Sequence, residues 1–311
     1  MRNRIIYMSA LFVAAVSCER ADEMEFYDDY ESINGTQITV SIEESRATEN
    51  TSADVVANGF YLYIDQDGES TTTDGEGDIL VFMKKTESGW VAYTDSTAAT
   101  EATNFKWVDF KGADVTALYA MSSDTAVASL TASDMVQLSC NLPADQSSAM
   151  QYADWLVASS LSDGAVTKSV ETGEVTLNFT HLYSRLTIKV LEGGTTLKSV
   201  NSCSVTNAAQ SATIALSTTL SEFVAAADGA DGEQGVTLFA NTADTTYEAI
   251  MLPQTFADEV EIAINTYDEV IVYTTLSDLD GESDGAQLEM VSGGDYVIEV
   301  PVPVNFFPAL D

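Results

Sequence analysis

The cysteine at position 18 is the residue whose setting most clearly implies a chemical reaction. Arg2 and Arg4 give the N-terminus a positive charge, and an apolar run follows at 5–16. That run has the length of a signal-peptide core and is too short to span a bilayer as a mature helix. It ends in Ala-Val-Ser-Cys, which resembles a lipobox, so we predict that signal peptide 1–17 is removed and that the Cys18 thiol is acylated. An ordinary secretory signal with an incidental cysteine is the alternative.

The residues after Cys18 indicate where such a lipoprotein would go. They read Glu-Arg-Ala-Asp-Glu, an acidic run poor in apolar residues, and this run resembles the export signal of surface lipoproteins in the Bacteroidetes. Each buried CH₂ of an acyl chain contributes about 0.8 kcal/mol to membrane binding, so several chains anchor a protein stably. We therefore expect attachment to the outer membrane, on the cell surface, through lipid on Cys18.

A second candidate reaction is proteolysis of the bond between Arg46 and Ala47. From Gln37 to Ile42 apolar and polar residues alternate, which predicts a β-strand with one apolar face. The polar stretch after it contains Arg46, and only Arg20 and Arg185 are further arginines beyond the signal peptide. An exposed arginine after a strand is a ready site for an Arg-specific protease, although a merely solvated arginine is the simpler interpretation of this residue alone.

Catalytic and metal-binding motifs are missing from the sequence. His181 is the single histidine; it has no second imidazole as a co-ligand and no obvious nucleophile beside it, so we predict a hydrogen-bonded structural residue. No Gly-x-Ser-x-Gly, His-Glu-x-x-His or phosphate-loop motif occurs, and the acidic loop at 65–69 departs from the EF-hand pattern. We therefore predict no enzymatic activity, no cofactor and no metal, while a glycosidase that uses two carboxylates stays open because acids are abundant.

The charge balance restricts the partners of the protein. The chain has 49 acidic residues against 12 Lys plus Arg, which gives a net charge of −37. Such a surface repels phosphate groups, which excludes nucleic-acid binding and adhesion to anionic lipids through basic patches. With 45% apolar residues the chain can build packed cores, and its 311 residues suggest two domains.

The body of the chain reads as strands and turns. Asp-Gly and Asn-Gly dipeptides, which suit turns with positive φ, separate short runs rich in β-branched and aromatic residues. The predicted strands are 59–64, 79–83, 115–121, 175–179, 186–190, 213–216, 260–264 and 270–275. We predict an all-β fold with short helical turns near 132–136, and a polar linker at 161–173 that divides two β-sandwiches.

The inward face of the chain changes parity between residues 175 and 190. Apolar residues occupy odd positions up to Phe179 and even positions from Leu186 onward. Because strand side chains alternate between the two faces, this change predicts a bulge or a bend between the two parts. His181 falls in that region.

The C-terminal segment has the pattern of an edge strand. Six apolar residues share one face, namely Tyr296, Ile298, Val300, Val302, Val304 and Phe306. Pro301 and Pro303 have the other parity, so one edge of the strand lacks two successive N–H donors while the other edge is complete. Such a strand pairs well on one side only, at the edge of a sheet or by docking onto an existing edge.

Five further side chains have two interpretations each. Cys140 and Cys203 lie in strand-like runs and could form a disulfide or remain buried free thiols. Trp90, Trp107 and Trp155 could form an exposed aromatic platform, although core packing is the more common role of tryptophan. Such a platform would make the protein a glycan-binding surface lipoprotein that stays anchored, which is the alternative function.

Several segments together resemble the fimbrillin family, the pilin subunits of the type V pili of Bacteroidales. They are the lipobox at Cys18, Glu-Ser-Arg-Ala-Thr at 44–48, Asp-Trp-Leu-Val-Ala at 154–158, the 177–186 segment, the 247–254 segment and Gly-Gly-Asp-Tyr at 293–296. Leu-x-Phe-x-His-x-x-Ser within 177–186 and Leu-Pro-Gln within 247–254 are the most specific. The resemblance runs along the whole chain.

The resemblance implies a fold and a maturation step. Fimbrillins have two transthyretin-like β-sandwich domains in tandem after a lipoprotein signal peptide, here expected at 47–168 and 169–311. An Arg-specific protease removes the lipidated propeptide, here 18–46, together with the first strand. Carried over to this chain, cleavage falls after Arg46 and removes the strand Gln37–Ile42.

The resemblance also implies how subunits join into a fimbrium. The groove left by the lost strand accepts a strand from the next subunit, and an alternating apolar strand can fill such a groove by β-augmentation. The C-terminal strand, with its six aligned apolar residues, is the candidate donor. The expected partners are other fimbrillin subunits, the Arg-specific protease and the outer membrane, with a host protein or glycan as further candidates.

Overall fold

The computed structural model describes eighteen stretches of the chain between residues 37 and 302. They are 37–42, 50–65, 78–102, 113–122, 125–127, 130–132, 135, 138–148, 150–161, 164–169, 174–192, 195–196, 200–214, 235–242, 245–256, 260–266, 271–275 and 288–302. The predicted lipidation and cleavage residues Cys18, Arg46 and Ala47 lie outside these stretches, as do Trp107 and the last nine residues.

The fold is all-β, as predicted. The strands are, in chain order, β1 (Gln37–Ile42), β2 (Phe60–Asp65), β3 (Ile79–Thr86), β4 (Gly89–Tyr93), β5 (Asp114–Tyr119), β6 (Met121–Ser122), β7 (Thr125–Ala126), β8 (Leu138–Asn141), β9 (Leu156–Ser159), β10 (Val166–Ser169), β11 (Glu174–His181), β12 (Ser184–Glu192), β13 (Thr195–Thr196), β14 (Val200–Thr206), β15 (Ser211–Ile214), β16 (Gly235–Thr237), β17 (Phe239–Asn241), β18 (Thr246–Met251), β19 (Gln254–Thr255), β20 (Glu261–Thr266), β21 (Ile271–Thr275), β22 (Glu289–Met290) and β23 (Asp295–Val302). Each predicted run overlaps a strand, because short β-branched and aromatic runs between turn dipeptides rarely form anything else.

Helices contribute little to the described part of the chain. An α-helix, α1 (Ser52–Asn58), precedes β2, and a 3₁₀ turn at Met150–Tyr152 precedes β9. Helix α1 was not predicted, although Thr51 and Asp54 form a capping box at its start. No helix in the described stretches is long and apolar enough to cross a membrane.

The centre of the first sheet is buried on both faces. Its strand order is β1-β11-β9-β5-β2-β3-β4, and β10 also pairs with β11. In β2 the side chains of Phe60 and Leu62 enter a first core cluster, whereas Tyr61 and Tyr63 on the opposite face enter a second, middle cluster. Because both faces are covered, the sequence of β2 is a continuous apolar run rather than an alternating one.

The two ends of the first sheet come together around the first core cluster. The indole Nε1 of Trp90 in β4 donates a hydrogen bond of 2.9 Å to the carbonyl of Ile38 in β1. Inside, the ring of Phe60 makes edge-to-face contacts with Trp90 and Phe179, at centroid distances of 5.2 and 5.7 Å. The sheet therefore curls until its first and last strands enclose the cluster.

The second half of the chain forms a sandwich of two smaller sheets. One has the order β13-β12-β18-β17 with β23 also on β12, and the other has the order β16-β14-β20-β21. Between them lies a third core cluster that includes Leu186, Cys203, Phe256 and Val300. All residues of β18 are buried. Tyr247, Ala249 and Met251 face this third cluster, whereas Ile250 on the other face belongs to the middle cluster.

The middle cluster joins the two halves of the chain. Tyr61 and Trp155 from the first half pack there with Tyr183, Ile250 and Leu252 from the second. The division into two domains at 168/169 stays a prediction. Strand pairing places β10, which falls inside the predicted linker, and β11 together in the first sheet.

The predicted change of direction lies between β11 and β12. The odd residues of β11, such as Phe179, face the first core cluster, and the even residues of β12, such as Leu186, face the third. Leu182 and Tyr183 separate the two strands and are buried in the middle cluster. The chain bends at this point, so one face of the β11–β12 path packs against the first core cluster and the opposite face packs against the third. This explains the change in parity.

Gly59 is a position where the fold requires glycine. It ends α1 with φ +89° and ψ 174°, a combination that only glycine adopts readily. A Cβ there would lie 2.5 Å from the carbonyl oxygen of Met83 and 2.7 Å from the ring of Phe82. We predict that Gly59→Ala lowers the free energy of unfolding by about 1–3 kcal/mol from the backbone alone, with a further loss from the contact.

Chemical denaturation of the purified protein measures this effect. Gly164→Ala is the matched control, because Gly164 also has a positive φ, +74°, but no atom lies within 4 Å of its added Cβ. A loss at Gly59 no larger than that at Gly164 would contradict the close approach of β3.

Candidate functional site

The seat of strand β1 on the first sheet is the candidate functional site. In the described part of the chain β1 pairs with β11 alone, in a parallel ladder from Gln37 opposite Glu174 to Ile42 opposite Phe179. Ile38 is 8% exposed and belongs to the first core cluster, and Val40 and Ile42 pack against it. The strand that the sequence analysis expected to be lost is thus an edge strand whose apolar face completes a core.

Two side chains outside β1 hold this strand in place. Trp90 donates its indole N–H to the Ile38 carbonyl, and Asn178 of β11 bonds the hydroxyl of its register partner Ser41. Neither contact was predicted from the sequence, because each depends on pairing between distant segments. The bond from Trp90 reaches a main-chain group, so it does not depend on which side chain occupies position 38.

Asn50 fixes the chain just after this seat. Its backbone N–H donates to Asp154 Oδ2 at 3.1 Å, and its side-chain amide donates to the carbonyls of Gln151 and Asp154 at 2.8 and 2.7 Å. Both Asn50 and Asp154 are buried, so leaving either without its partner is costly. Ala47, the predicted new N-terminus, stands three positions before this anchor.

His181 is a hydrogen-bonded structural residue, as predicted. Its Nδ1 lies 2.7 Å from Asp154 Oδ1, and both side chains are buried. The hydroxyl of Ser292 donates to the carbonyls of His181 and Leu182, at 3.3 and 2.8 Å. Asp154 therefore connects the segment after the predicted cleavage bond, through Asn50, with the bend that contacts the turn before β23.

The C-terminal strand occupies an edge of its own sheet, which confirms the prediction of an edge strand. β23 pairs in parallel with β12 from Asp295 opposite Arg185 to Val302 opposite Glu192. Ile298 and Val300 are buried in the third core cluster, Tyr296 packs against it, and Pro301 is exposed.

The six donor candidates therefore divide into two groups. Tyr296, Ile298 and Val300 contribute to the core of their own sandwich. The side chain of Val302 and the whole of Val304 and Phe306 lie outside the described residues.

The two described tryptophans have structural roles. Trp90 and Trp155 are 1% and 8% exposed, and Trp155 Nε1 donates to the carbonyl of Met121 at 3.2 Å. Core packing is thus confirmed for both, and they cannot form an exposed platform. No group of three or more His, Cys, Asp or Glu side chains in the described stretches is arranged to hold a metal ion.

The described cysteines are free and buried. Cys140 lies in the middle cluster and Cys203 in the third, so they belong to different cores. Burial raises the pKa of Cys140 to about 11 and that of Cys203 to about 12. Because the thiolate is the reactive form, both are expected to be inert in the folded protein.

Comparisons with known proteins give one family and several structures with a similar fold. The model of a fimbrillin-like family matches residues 29–305. A candidate cell adhesion protein from Bacteroides uniformis has 14% identity and a TM-score of 0.51, over 86% of this chain and 92% of its own. Another from Bacteroides ovatus has 14% identity and a TM-score of 0.53, over 85% and 90%. No curated protein matches the chain significantly.

The raised thiol pKa values give a direct prediction. In a full-length chain carrying Cys18→Ser, neither remaining thiol should react with a maleimide or an aromatic disulfide at pH 8, because both groups stay protonated and out of reach. In guanidinium chloride both should react at once. Rapid labelling of the native protein at Cys140 or Cys203, located by peptide mass analysis, would contradict their burial.

Proposed function

Because the chain belongs to the fimbrillin-like family, we propose that it is a structural and adhesive subunit of a cell-surface pilus. It is exported as a lipoprotein through Cys18, cut between Arg46 and Ala47, and joined to its neighbours by strand exchange. The observation that carries this proposal is the position of β1, an edge strand that completes a core and connects to the rest of the sheet through the segment containing Arg46.

The attachment of β1 supports its removal in one step. Its backbone pairs with β11 alone in the described stretches, and Asn50, the next described residue, is bonded to Asp154. A cut after Arg46 would break the covalent connection between β1 and Asn50. The rest of the first sheet then keeps α1, and it keeps Asn50 with its bonds to Asp154.

Loss of β1 leaves a groove that needs another strand. Ile38, Val40 and Ile42 leave the first core cluster, and burying such a side chain contributes about 1.5–3 kcal/mol. The edge of β11 also loses its ladder partners, and an open apolar edge is a template for pairing with another chain. A strand from a neighbouring subunit restores both the core and the ladder, which makes the joint strong without any covalent bond.

The C-terminal segment is the proposed donor, and the packing of β23 supports donation of its last residues. Ile298 and Val300 contribute to the third core cluster of their own subunit, so withdrawing them would open that core. Val302, Val304 and Phe306 continue the same apolar face. These three residues match the number of inward side chains that β1 supplies. Donating Val302 requires Pro301 and Val302 to leave the last two positions of the ladder, opposite Leu191 and Glu192.

The alternative of an anchored glycan-binding lipoprotein has less support. It needs exposed aromatic rings, and Trp90 and Trp155 are buried. An adhesive role toward a host protein or glycan is compatible with the pilus proposal, because it would use a surface other than the seat of β1.

The proposed maturation bond is tested by Arg46→Ala expressed in the native host. We expect a lipid-anchored monomer with its N-terminus at Cys18 and no polymer, because β1 still fills its seat. Arg46→Lys should give the same result, since the proposed protease is Arg-specific. N-terminal sequencing and unheated gels of the surface protein measure both. Normal polymer from Arg46→Ala would rule out this bond.

The proposed donor is tested by substitutions on the two faces of the C-terminal segment. Val302→Asp should abolish the ladder on unheated gels while the subunit stays folded, because it would bury an unpaired charge in the joint. Glu299→Gln is the matched control, since Glu299 is exposed with the opposite parity and its change should leave the ladder intact.

Deleting 301–311 should leave a folded, cleaved monomer, because Ile298 and Val300 remain in place. Normal assembly of the truncated chain would place the donor elsewhere.

A further inference from the structure

The backbone of β11 and β12 presents one edge to both ends of the chain. In β11 the N–H of Asn178 donates to the carbonyl of Ala165 at 2.8 Å, on the side of β10. The backbone N–H and C=O groups of the odd residues of β11 therefore point to the opposite side, toward β1. In β12 the N–H of Arg185 donates to the carbonyl of Gly294 at 2.8 Å, so the backbone N–H and C=O groups of the odd residues there point toward β23. The two terminal strands thus lie one after the other along the same edge, and both run parallel to it.

The inward side chains of β1 belong to residues whose N–H groups point away from β11. In a parallel ladder only alternate residues of each strand bond the partner. Since the odd residues of β11 face β1 and the register pairs Thr39 with Thr176, the odd residues of β1 make the ladder. Ile38 is inward and even, and its carbonyl accepts from Trp90 instead. A strand that copies β1 must therefore have an N–H at every outward-facing residue.

The C-terminal segment has the opposite arrangement. The register pairs Arg185 with Asp295 and Arg185 donates to Gly294, so the even residues of β23 bond β12. Ile298 and Val300 are even and also face the core, while Pro301 directs its nitrogen to the free edge. The reason for the difference from β1 is that the first and third core clusters lie on opposite faces of the β11–β12 path.

The proline pattern then decides the direction in which this segment can fill the seat of β1. If it ran parallel to β11 with Val302, Val304 and Phe306 inward, Pro303 would face β11 and one ladder bond would be missing at the centre of the joint. If the strand is instead rotated by 180° about the direction of its inward side chains, its chain direction reverses. The same side chains still point into the core, but the edge that faced β11 now faces away from it. The apolar residues then face β11 with complete N–H groups, and Pro303 faces Trp90, to which its carbonyl remains an available acceptor.

We infer that the seat of β1 takes the C-terminal segment of a second copy of this chain in the reverse direction, antiparallel to β11. The inference rests on the proposed strand exchange and specifies its geometry. Val302 then lies near the end of β11 and Phe306 near its start, so assembly replaces a parallel edge strand with an antiparallel one. Antiparallel pairs are somewhat more stable per residue, which gives the exchange a direction from precursor to polymer.

Disulfide trapping between two full-length copies tests the direction. One copy carries Pro301→Cys, and the other carries either Thr180→Cys or Glu174→Cys, on the face of β11 opposite to the first core cluster. These two positions are about 20 Å apart along the strand, so a register shift of two residues cannot confuse them. Both copies are cut with an Arg-specific protease, mixed and oxidised.

We expect the Thr180 pair to form the disulfide and the Glu174 pair to form none. Pro301→Ser, which removes the same proline without adding a thiol, should assemble normally and serves as the control. A polymer trapped through Glu174 would overturn the reverse direction and leave the proposed strand exchange standing. A polymer trapped by neither pair would show that the C-terminal segment does not fill this seat. Absence of any polymer from the unmodified chain would overturn the proposed function itself.

A proline comparison gives an independent measurement. Val304→Pro removes an N–H that faces β11 in the antiparallel joint, so dissociation of the ladder on heating should be about tenfold faster or more. Asn305→Pro removes an N–H at the free edge and should change the rate less than about twofold, because no ladder bond is lost. Val304→Ala controls for the shorter side chain. The opposite ranking of Val304→Pro and Asn305→Pro would indicate a parallel joint and overturn the inference.

Discussion

The alternation of backbone hydrogen bonds along residues 174–192 is the constraint on which the rest of the structure depends. Along this path the backbone N–H and C=O groups of the odd residues point to one edge. That edge pairs with β1 beside β11 and with β23 beside β12. Side chains of the same path serve the first core cluster on one face and the third on the other. Both ends of the described chain are therefore fixed by the same piece of backbone, one in each half of the molecule.

A small buried polar network keeps this arrangement in register at the bend. Asp154 accepts from Asn50 and lies 2.7 Å from His181, while Ser292 donates to the carbonyls of His181 and Leu182. Buried polar groups are tolerated only when they have partners, so these residues fix one another. As a result, the bend at 181–183 is linked to the segment after β1 through Asp154 and to the turn before β23 through Ser292.

The proposed strand exchange would need no catalytic chemistry from the subunit. It would require an apolar floor, a strand edge that becomes free when β1 leaves, and a main-chain contact. The first core cluster, β11 and Trp90 would supply these three features. The high negative charge of the chain, −37, makes copies repel one another and opposes their non-specific association. In the proposed joint, specificity would come from the parity of apolar residues and prolines.

The sequence by itself determined the strand content, the first strand at Gln37–Ile42, the bend near His181 and the edge character of the C-terminal strand, because each depends on local periodicity, turn residues or proline. The short helix α1 was missed because the sequence analysis considered only sustained periodicity, whereas its signal is a single capping box at Thr51. Only the tertiary structure decided that Trp90 bonds β1, that Asn50 anchors on Asp154, and that β11 joins the first sheet. These features depend on pairing between residues far apart in the chain, and a local pattern shows that a strand has an apolar face but not which core or which edge will receive it.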